Sequence, residues 1–364
     1  MINNKNNNFE NNTNFLEIKN RRYYGNKYKL TDFIKDAVRR YIGDDWNVFF
    51  DIFAGTGVVA HSFNKKDKKI IANDFLQHNF IALKCWLGTR AYNKDRIGNI
   101  INYLNNLKGY PGYIAKNFGN KFFTLENAKK MDAIRKKIEY LYKTKEINKQ
   151  EYYILLTSFF YAADKCANVI TQYEAYLKKF NSNLFDKSGK QVTYHGAIKP
   201  VILRIPKIRH KENINNVIYK SDANELIKRI SDNIDILYID PPYSSRQYID
   251  NYHLLENIVA WRKPKVYGKG RKMDCNNLKS LYSSRATVLD VFSDLIKEAV
   301  KKTKFIVMSY SNRGLMSDSD IENIFMKFTH KKPTVLIKEY NGSHVCTSRV
   351  QDNKEKLFIT KCKR

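Results

Sequence analysis

Cysteine is sparse and scattered in this chain. Cys85, Cys166, Cys275, Cys346 and Cys362 are the five in 364 residues, no two are close in sequence, and no Cys-x-x-Cys occurs. An odd, dispersed set argues against a disulfide framework or a thiolate-built zinc site; reduced thiols, no metal and a cytoplasmic location are expected. Long apolar runs are lacking too. None approaches the roughly 20 residues that cross a bilayer, so no membrane association is expected. The opening MINNKNNNFENNTNF is rich in Asn and has no apolar signal core, and residues 1–20 are expected to form a disordered tail. Acidic residues are few: 36 Asp and Glu face 65 Lys and Arg, a net charge of +29. A polyanionic partner explains such an excess, since phosphates attract Lys and Arg and release counterions; so does a merely solvated basic surface.

What is present is a core. Apolar residues make up 43% of the chain and aromatics 13%, enough for one large domain or two moderate ones. Leu30, Phe33, Ile34, Ala37, Val38 and Tyr41 recur at helical spacing behind Thr31 and Asp32, which supply cap chemistry. NVFFDIFAGTGVVAHSF then reads as strand, glycine turn and helix, and KKIIANDF as a second strand ending at Asn73-Asp74. Residues 88–215 carry weak strand signals and long helical patterns, at Leu125 to Tyr142 and Glu151 to Phe180, and a polar loop at 180–196. From residue 216 the alternation resumes: a strand through Tyr219, a helix after Asp222, the strand IDILYID, the helix HLLENIVAW, a basic loop, another helix and the strand KFIVMSYSN. PTVLIKEYN and EKLFITKCK suit a terminal antiparallel pair. The pattern predicts an α/β fold: a Rossmann-like, doubly wound, mostly parallel sheet with an antiparallel edge and a mainly helical insertion. The expected layout is a sheet domain over 21–87 and 216–364, with the insertion at 88–215.

Ligands of open α/β sheets bind beyond the carboxyl ends of the strands. Gly55 and Gly57 lie at such an end, where glycine permits a sharp turn and a close backbone approach to a ligand. No Lys-Ser/Thr follows, so this is not a phosphate-binding Walker loop. Asp74, about twenty residues past the glycines, is placed to accept hydrogen bonds from a ribose. A nucleoside-containing cofactor and a plain tight turn both fit.

The stretch LYIDPPYSSRQY is more demanding. Asp240 ends a strand and faces the same crevice. Each Pro fixes its own φ and pushes the residue before it toward an extended backbone, and neither adds a competing N–H. Asp240, Pro241 and Pro242 thus form a stiff frame in which a carboxylate and a neighbouring carbonyl accept from one amino group. Tyr243 follows at once and can stack on a flat ring. Two acceptors and a stacking ring suit a nucleobase amine such as N6 of adenine; the bland alternative is a strand that ends in a proline turn.

At these residues the chain resembles the Dam-like group of adenine-N6 DNA methyltransferases, which use S-adenosylmethionine. DPPY matches their catalytic motif and DIFAGTG, with Asp51 and Phe53, their cofactor loop. YYGNKYKL is similar to their N-terminal motif, although Asn26 stands where a second Gly is usual. ANDF and SDANELI resemble their two acidic motifs. The resemblance implies that Tyr23, Lys27, Asp51, Phe53, Gly55, Gly57, Asp74, Asp222 and Asp240 bind the cofactor. It implies that Asp240 and the Pro241 carbonyl hold the target N6, with Pro242 in the frame and Tyr243 stacked on a base flipped out of duplex DNA. Arg246, Gln247 and Tyr248 follow the motif and can meet DNA, since Arg and Gln read base edges and Arg also clamps phosphate. Lys269 and Arg271 belong to a basic stretch, YGKGRK, which reads either as a mobile loop that orders on DNA or as a simply solvated one. The basic run KPVILRIPKIRHK is expected to face phosphates. The implied activity is site-specific adenine methylation, in a restriction–modification system with a cognate restriction endonuclease or as a solitary methylase. RNA, cytosine N4 and a catalytically silent DNA-binding role remain the alternatives.

Overall fold

The computed structural model describes residues 15–170, 172–180, 193–231, 233–340 and 353–362. The expected N-terminal tail lies outside the described residues as far as residue 14, as does most of the polar loop at 180–196. In chain order the elements are β1 (Phe15–Leu16), α1 (Thr31–Tyr41), β2 (Val48–Asp51), α2 (Val58–Phe63), β3 (Lys69–Asn73) and α3 (Gln77–Trp86). Then follow α4 (Lys94–Asn106), α5 (Tyr113–Phe118), α6 (Leu125–Lys143), α7 (Lys149–Cys166), β4 (Ile205–Pro206), β5 (Val217–Tyr219), α8 (Ala223–Arg229) and β6 (Ile234–Ile239). The chain closes with α9 (Tyr248–Ala260), α10 (Val288–Ala299), β7 (Thr303–Ser311), α11 (Asp318–Thr329), β8 (Thr334–Tyr340) and β9 (Asn353–Lys361).

Seven strands form one sheet in the order β5-β3-β2-β6-β7-β9-β8. The first five run parallel; β9 is antiparallel to both β7 and β8. The expected α/β sheet with an antiparallel edge is therefore the one observed. Strand β6, all six residues buried, is central and covered on both faces, and its one charged residue, Asp235, accepts from Asn47 N and Val48 N at the strand's start. Chain order reverses between β2 and its neighbour β6, leaving a crevice at their carboxyl ends. Asp51 ends β2 and Asp240 follows β6, so both carboxylates reach that crevice from adjacent strands.

Helix α7 packs on α3 and α9. It is buried almost all round, and one apolar cluster runs from Phe49 in β2 to Phe159 and Phe160 in α7. The sequence pattern extends this helix to Phe180, but it stops at Cys166. Arg22 explains the stop: its guanidinium donates to the carbonyls of Asp164 and of Val169, the latter at 2.9 Å. The Asn168 amide then donates to Leu177 and Lys179 carbonyls at 2.8 and 2.9 Å, folding the chain back. Residues 15 and 16, expected within the tail, pair with Ile205 and Pro206 as a two-stranded ladder, with Leu16 buried. The basic run around β4 straps onto the core yet keeps Lys199, Lys207 and Lys211 exposed. Val201, Leu203 and Ile208 are buried, and Arg209 pairs with Glu212 at 3.0 Å.

Candidate active site

The crevice opens into a cleft with about 1020 Å³ of atom-free space. Tyr23, Lys27, Asp51, Phe53, Gly55, Asp74, Asp222, Asp240, Pro242, Gln247 and Tyr248 all line it. Residues separated by more than two hundred positions thus converge on one surface.

The glycine turn explains its own composition. Gly55 has φ +53 and Gly57 has φ +81, conformations that L side chains rarely adopt. A Cβ on Gly57 would lie 2.6 Å from Leu83 Cδ2, so Gly57 lies under the cleft as a packing glycine and the start of α2. A Cβ on Gly55 would approach the Tyr23 ring to 3.3 Å, on the cleft side. Gly25 has φ +75, and a Cβ there would meet the hydroxyls of Tyr248 at 3.0 Å and Tyr243 at 3.1 Å. Asn26, in contrast, has φ −57 and caps the turn that follows by accepting from Tyr28 N, so no second glycine is needed.

Asp74 shapes this turn. Its Oδ2 accepts from Gly55 N at 3.0 Å, and its Oδ1 from Leu76 N at 2.8 Å and Asn79 Nδ2 at 3.1 Å. Burial lifts its carboxyl to about 6 against these stabilising bonds. Asn79 also donates to Tyr23 Oη and accepts from Arg21 at 2.7 Å. Burial likewise pushes Asp51 well above the usual carboxylate range, with Asp240 adding repulsion, and its Oδ1 has no hydrogen-bond partner. Asp222 caps α8 through Glu225 N at 3.1 Å. Beside it Phe53 and Tyr282 meet edge to face at 5.0 Å.

At the other end Lys27 Nζ lies 2.9 Å from Asp240 Oδ1 and 3.4 Å from Glu355 Oε1. Asp240 keeps 17% of its side chain accessible, whereas Glu355 keeps 1%, so only Asp240 can touch a ligand. Burial raises the Asp240 carboxyl to about 6, Lys27 opposes this, and Glu355 reinforces it. Burial alone would lower the Lys27 ammonium, but Asp240 and Glu355 more than offset it and hold the charge in place. Tyr243 is 9% exposed, tilted against Tyr24 at 5.7 Å and edge-on to Tyr310 at 6.5 Å. Lys27 Nζ sits 5.5 Å from its ring centre.

The residues expected at DNA divide. Arg246 is exposed beside the cleft, and Tyr248 packs at its rim with Tyr23, 5.7 Å away. Gln247 commits its amide to the Ser280 backbone, donating to O at 3.0 Å and accepting from N at 2.7 Å, which fixes its orientation and leaves one N–H and one lone pair. The stretch YGKGRK is a hairpin, with Tyr267 and Lys272 exchanging backbone bonds of 2.8 and 3.1 Å. Lys272 ties it to Asp250 at 3.3 Å, while Lys269 is exposed and Arg271 half-buried. Glu355, Asn79, Tyr282 and Ser280 were not legible as site residues. Asn79 alone had a signal, its place in the first turn after Asp74; Glu355 sits in a terminal strand, where pairing with Lys27 depends wholly on tertiary register.

Residues 23–324 match the D12 class N6 adenine-specific DNA methyltransferase family. The chain belongs to that family. Among its relatives is Type II methyltransferase M.NlaIII of Neisseria lactamica, 33% identical over 84% of this chain and 88% of that protein. Type II methyltransferase M.CviAII of Paramecium bursaria Chlorella virus 1 is 29% identical over 93% of this chain and 97% of its own length. Type II methyltransferase M.FokI of Planomicrobium okeanokoites is 33% identical, and the match spans 50% of that longer protein. The cleft therefore belongs to a site-specific adenine-N6 DNA methyltransferase. RNA, cytosine N4 and a silent binding role recede as alternatives, and the DPPY stretch lies within the matched residues. No helix among the described residues is long and apolar enough to cross a membrane, and no group of metal-ligating side chains gathers among them.

Proposed function

We propose that the cleft binds S-adenosylmethionine from Asp222 to Asp51 and presents a flipped-out adenine to Asp240. The single observation that carries this is the convergence of Asp240 and the Gly55 turn on one cleft at the β2–β6 switch point. Three features of the chain fit the cofactor. Gly55, whose missing side chain lets the Tyr23 ring lie against it, brings bare backbone to the cleft surface, where a chain-like group can run past it. The unpartnered buried Oδ1 of Asp51 suits an ammonium. The aromatic wall of Phe53 and Tyr282, with Asp222 beside it, suits one face of a purine with an amino group. Asp74, already oriented by Gly55, Leu76 and Asn79, would turn remaining lone pairs to the ribose.

When bound, this cofactor supplies an electrophilic methyl on a sulfonium sulfur. The chain supplies position and electrostatics. Lys27 engages Asp240 Oδ1, leaving Oδ2 to accept one N6–H bond, and the Pro241 carbonyl accepts the other. These two acceptors draw N6 away from planarity, so its lone pair is less delocalised into the ring. As N6 gains positive charge, the ionised Asp240 stabilises it, and the surplus N6 proton leaves by way of Oδ2. Extruding the adenine costs roughly a few kcal/mol, which stacking on Tyr243 and contacts from Arg246 and Tyr248 would offset. Lys269 and Arg271 on the hairpin would meet phosphates. Type II and modification methylases among the relatives support a place in a restriction–modification system; a cognate endonuclease as partner and the cytoplasm as the site of action complete the proposal. The test is methyl transfer from labelled S-adenosylmethionine to duplex DNA and to RNA, with the modified base mapped in DNA of expressing cells. N6-methyladenine at one short sequence is expected; its absence overturns the reading.

A further inference from the structure

Gln247 stands between the two halves of the cleft. Its carbonyl starts α9, accepting from Asp250 and Asn251 N, but its side chain caps nothing in that helix. The side chain turns outward and pairs twice with the Ser280 backbone, at 3.0 and 2.7 Å. Ser280 belongs to a segment whose Leu278, Lys279, Ser280 and Tyr282 form one wall of the cleft. Ser280 Oγ accepts from Tyr282 N, and Tyr282 Oη donates to Asn224 at 2.7 Å, next to Asp222. A continuous run of hydrogen bonds thus leads from the loop behind DPPY to the far end of the cleft.

We infer that Gln247 is a positioning residue that joins the base-capturing loop to the wall of the cofactor site, so that each ligand strengthens the binding of the other. This rests on the cofactor assignment proposed above. A ligand that orders the Ser280 wall orders the start of α9 through this pair, and by linkage the reverse effect is equal. Two neutral hydrogen bonds allow a coupling on the order of tenfold. An amide that read a base instead would leave the wall untouched.

The test measures calorimetric binding of S-adenosylhomocysteine to the full chain, with and without a duplex carrying the mapped methylation sequence. The native enzyme should bind it about tenfold more tightly with DNA present. Gln247→Leu should lose most of that ratio and raise KM for the cofactor, while methylating the same sequence. Gln247→Glu should fall between, because its carboxylate still accepts from Ser280 N but cannot donate to Ser280 O; it also keeps the test decisive if the Leu variant fails to fold. Ser280→Pro removes the N–H from the other side, leaves the carbonyl at 280 to accept from Gln247, and should likewise fall between. A native ratio of one, or a Gln247→Leu enzyme that keeps the coupling and relaxes its recognition sequence, would overturn the inference. Native enzyme that binds no S-adenosylhomocysteine under either condition would overturn the cofactor assignment itself, and this inference with it.

Discussion

In the proposed role Asp240 must be ionised to stabilise the charge that N6 gains and to take its proton, and burial works against that. With the carboxyl lifted to about 6, the neutral acid accumulates below that pH and both are lost. The expected profile of kcat/KM, which reports the free enzyme, therefore rises with pH through about 6 and is level above it. Lys27 holds the value down, so Lys27→Met should carry this limb to higher pH. A limb that stays put in Lys27→Met would mean the titrating group is not Asp240. Asp240→Ala should abolish turnover, whereas Asp240→Asn keeps one acceptor oxygen and retains a trace. Tyr243 has a double role at this scale. It belongs to the apolar cluster of Phe50, Leu237 and Tyr310, so Tyr243→Ala should cost roughly 3 kcal/mol of stability, as large-to-small changes of buried aromatics do. Tyr243→Phe keeps the ring and should keep both the melting temperature and most activity. A Tyr243→Ala enzyme that melts early yet methylates normally whenever folded would assign the ring to the core alone.

Elements that carry their own punctuation were legible. Helix α2 was readable because Gly57 and the apolar residues after it mark its start, and β6 because only Asp235 interrupts its apolar residues. Helix α8 begins where Asp222 stands as cap. What failed was decided by distant partners. Nothing in residues 167–180 announces that Arg22 will take the carbonyls at the end of α7. Helix α11 passed unread although Ser317 and Asp320 form a reciprocal capping box. The YGKGRK hairpin read as a loop, mobile or simply solvated, because its charge is obvious and its cross-pairing with Lys272 is not. The site followed the same division. Asp240, Gly55 and Lys27 stand in contiguous motifs, while Glu355 and Ser280 reach the cleft only through strand register and a tether. The glycine turn gives the prediction for this scale. Gly57→Ala adds a Cβ 2.6 Å from Leu83 Cδ2 at φ +81, combining strain with a core clash. It should lower stability by about 1–3 kcal/mol and weaken S-adenosylhomocysteine binding, since Gly55 and its bond to Asp74 depend on the same turn. Unchanged melting and binding in Gly57→Ala would mean that the turn relaxes freely.

Across the whole molecule the charge is distributed by function. The acids that matter to the cleft, Asp51, Asp74, Asp222 and Asp240, are drawn to strand ends and a helix cap around it. The basic excess of +29 is spread over the rest of the chain. Part of it is internally committed: Arg135 is buried and pairs with Glu139, Arg22 closes α7, and Arg209 pairs with Glu212. Lys269 and Arg246, in contrast, are exposed close to the start of α9, where the catalytic loop ends. Phosphate contacts from such groups release counterions, and each contributes about −0.9 to the slope of log affinity against log salt on duplex DNA. With about five contacts, affinity should fall a hundredfold to a thousandfold between roughly 50 and 200 mM salt. S-adenosylhomocysteine binding, set by the buried carboxylates and the aromatic wall, should change little over the same range. Lys269→Ala should weaken binding to target and non-target duplexes alike and lower the slope by about one, with Arg271→Ala acting in the same direction. A contact to a base edge would act otherwise, costing affinity for the target alone and relaxing the methylated sequence. If the slope is flat for the native enzyme and unchanged in Lys269→Ala, the basic excess faces water, and the hairpin at 267–272 is not part of the DNA surface.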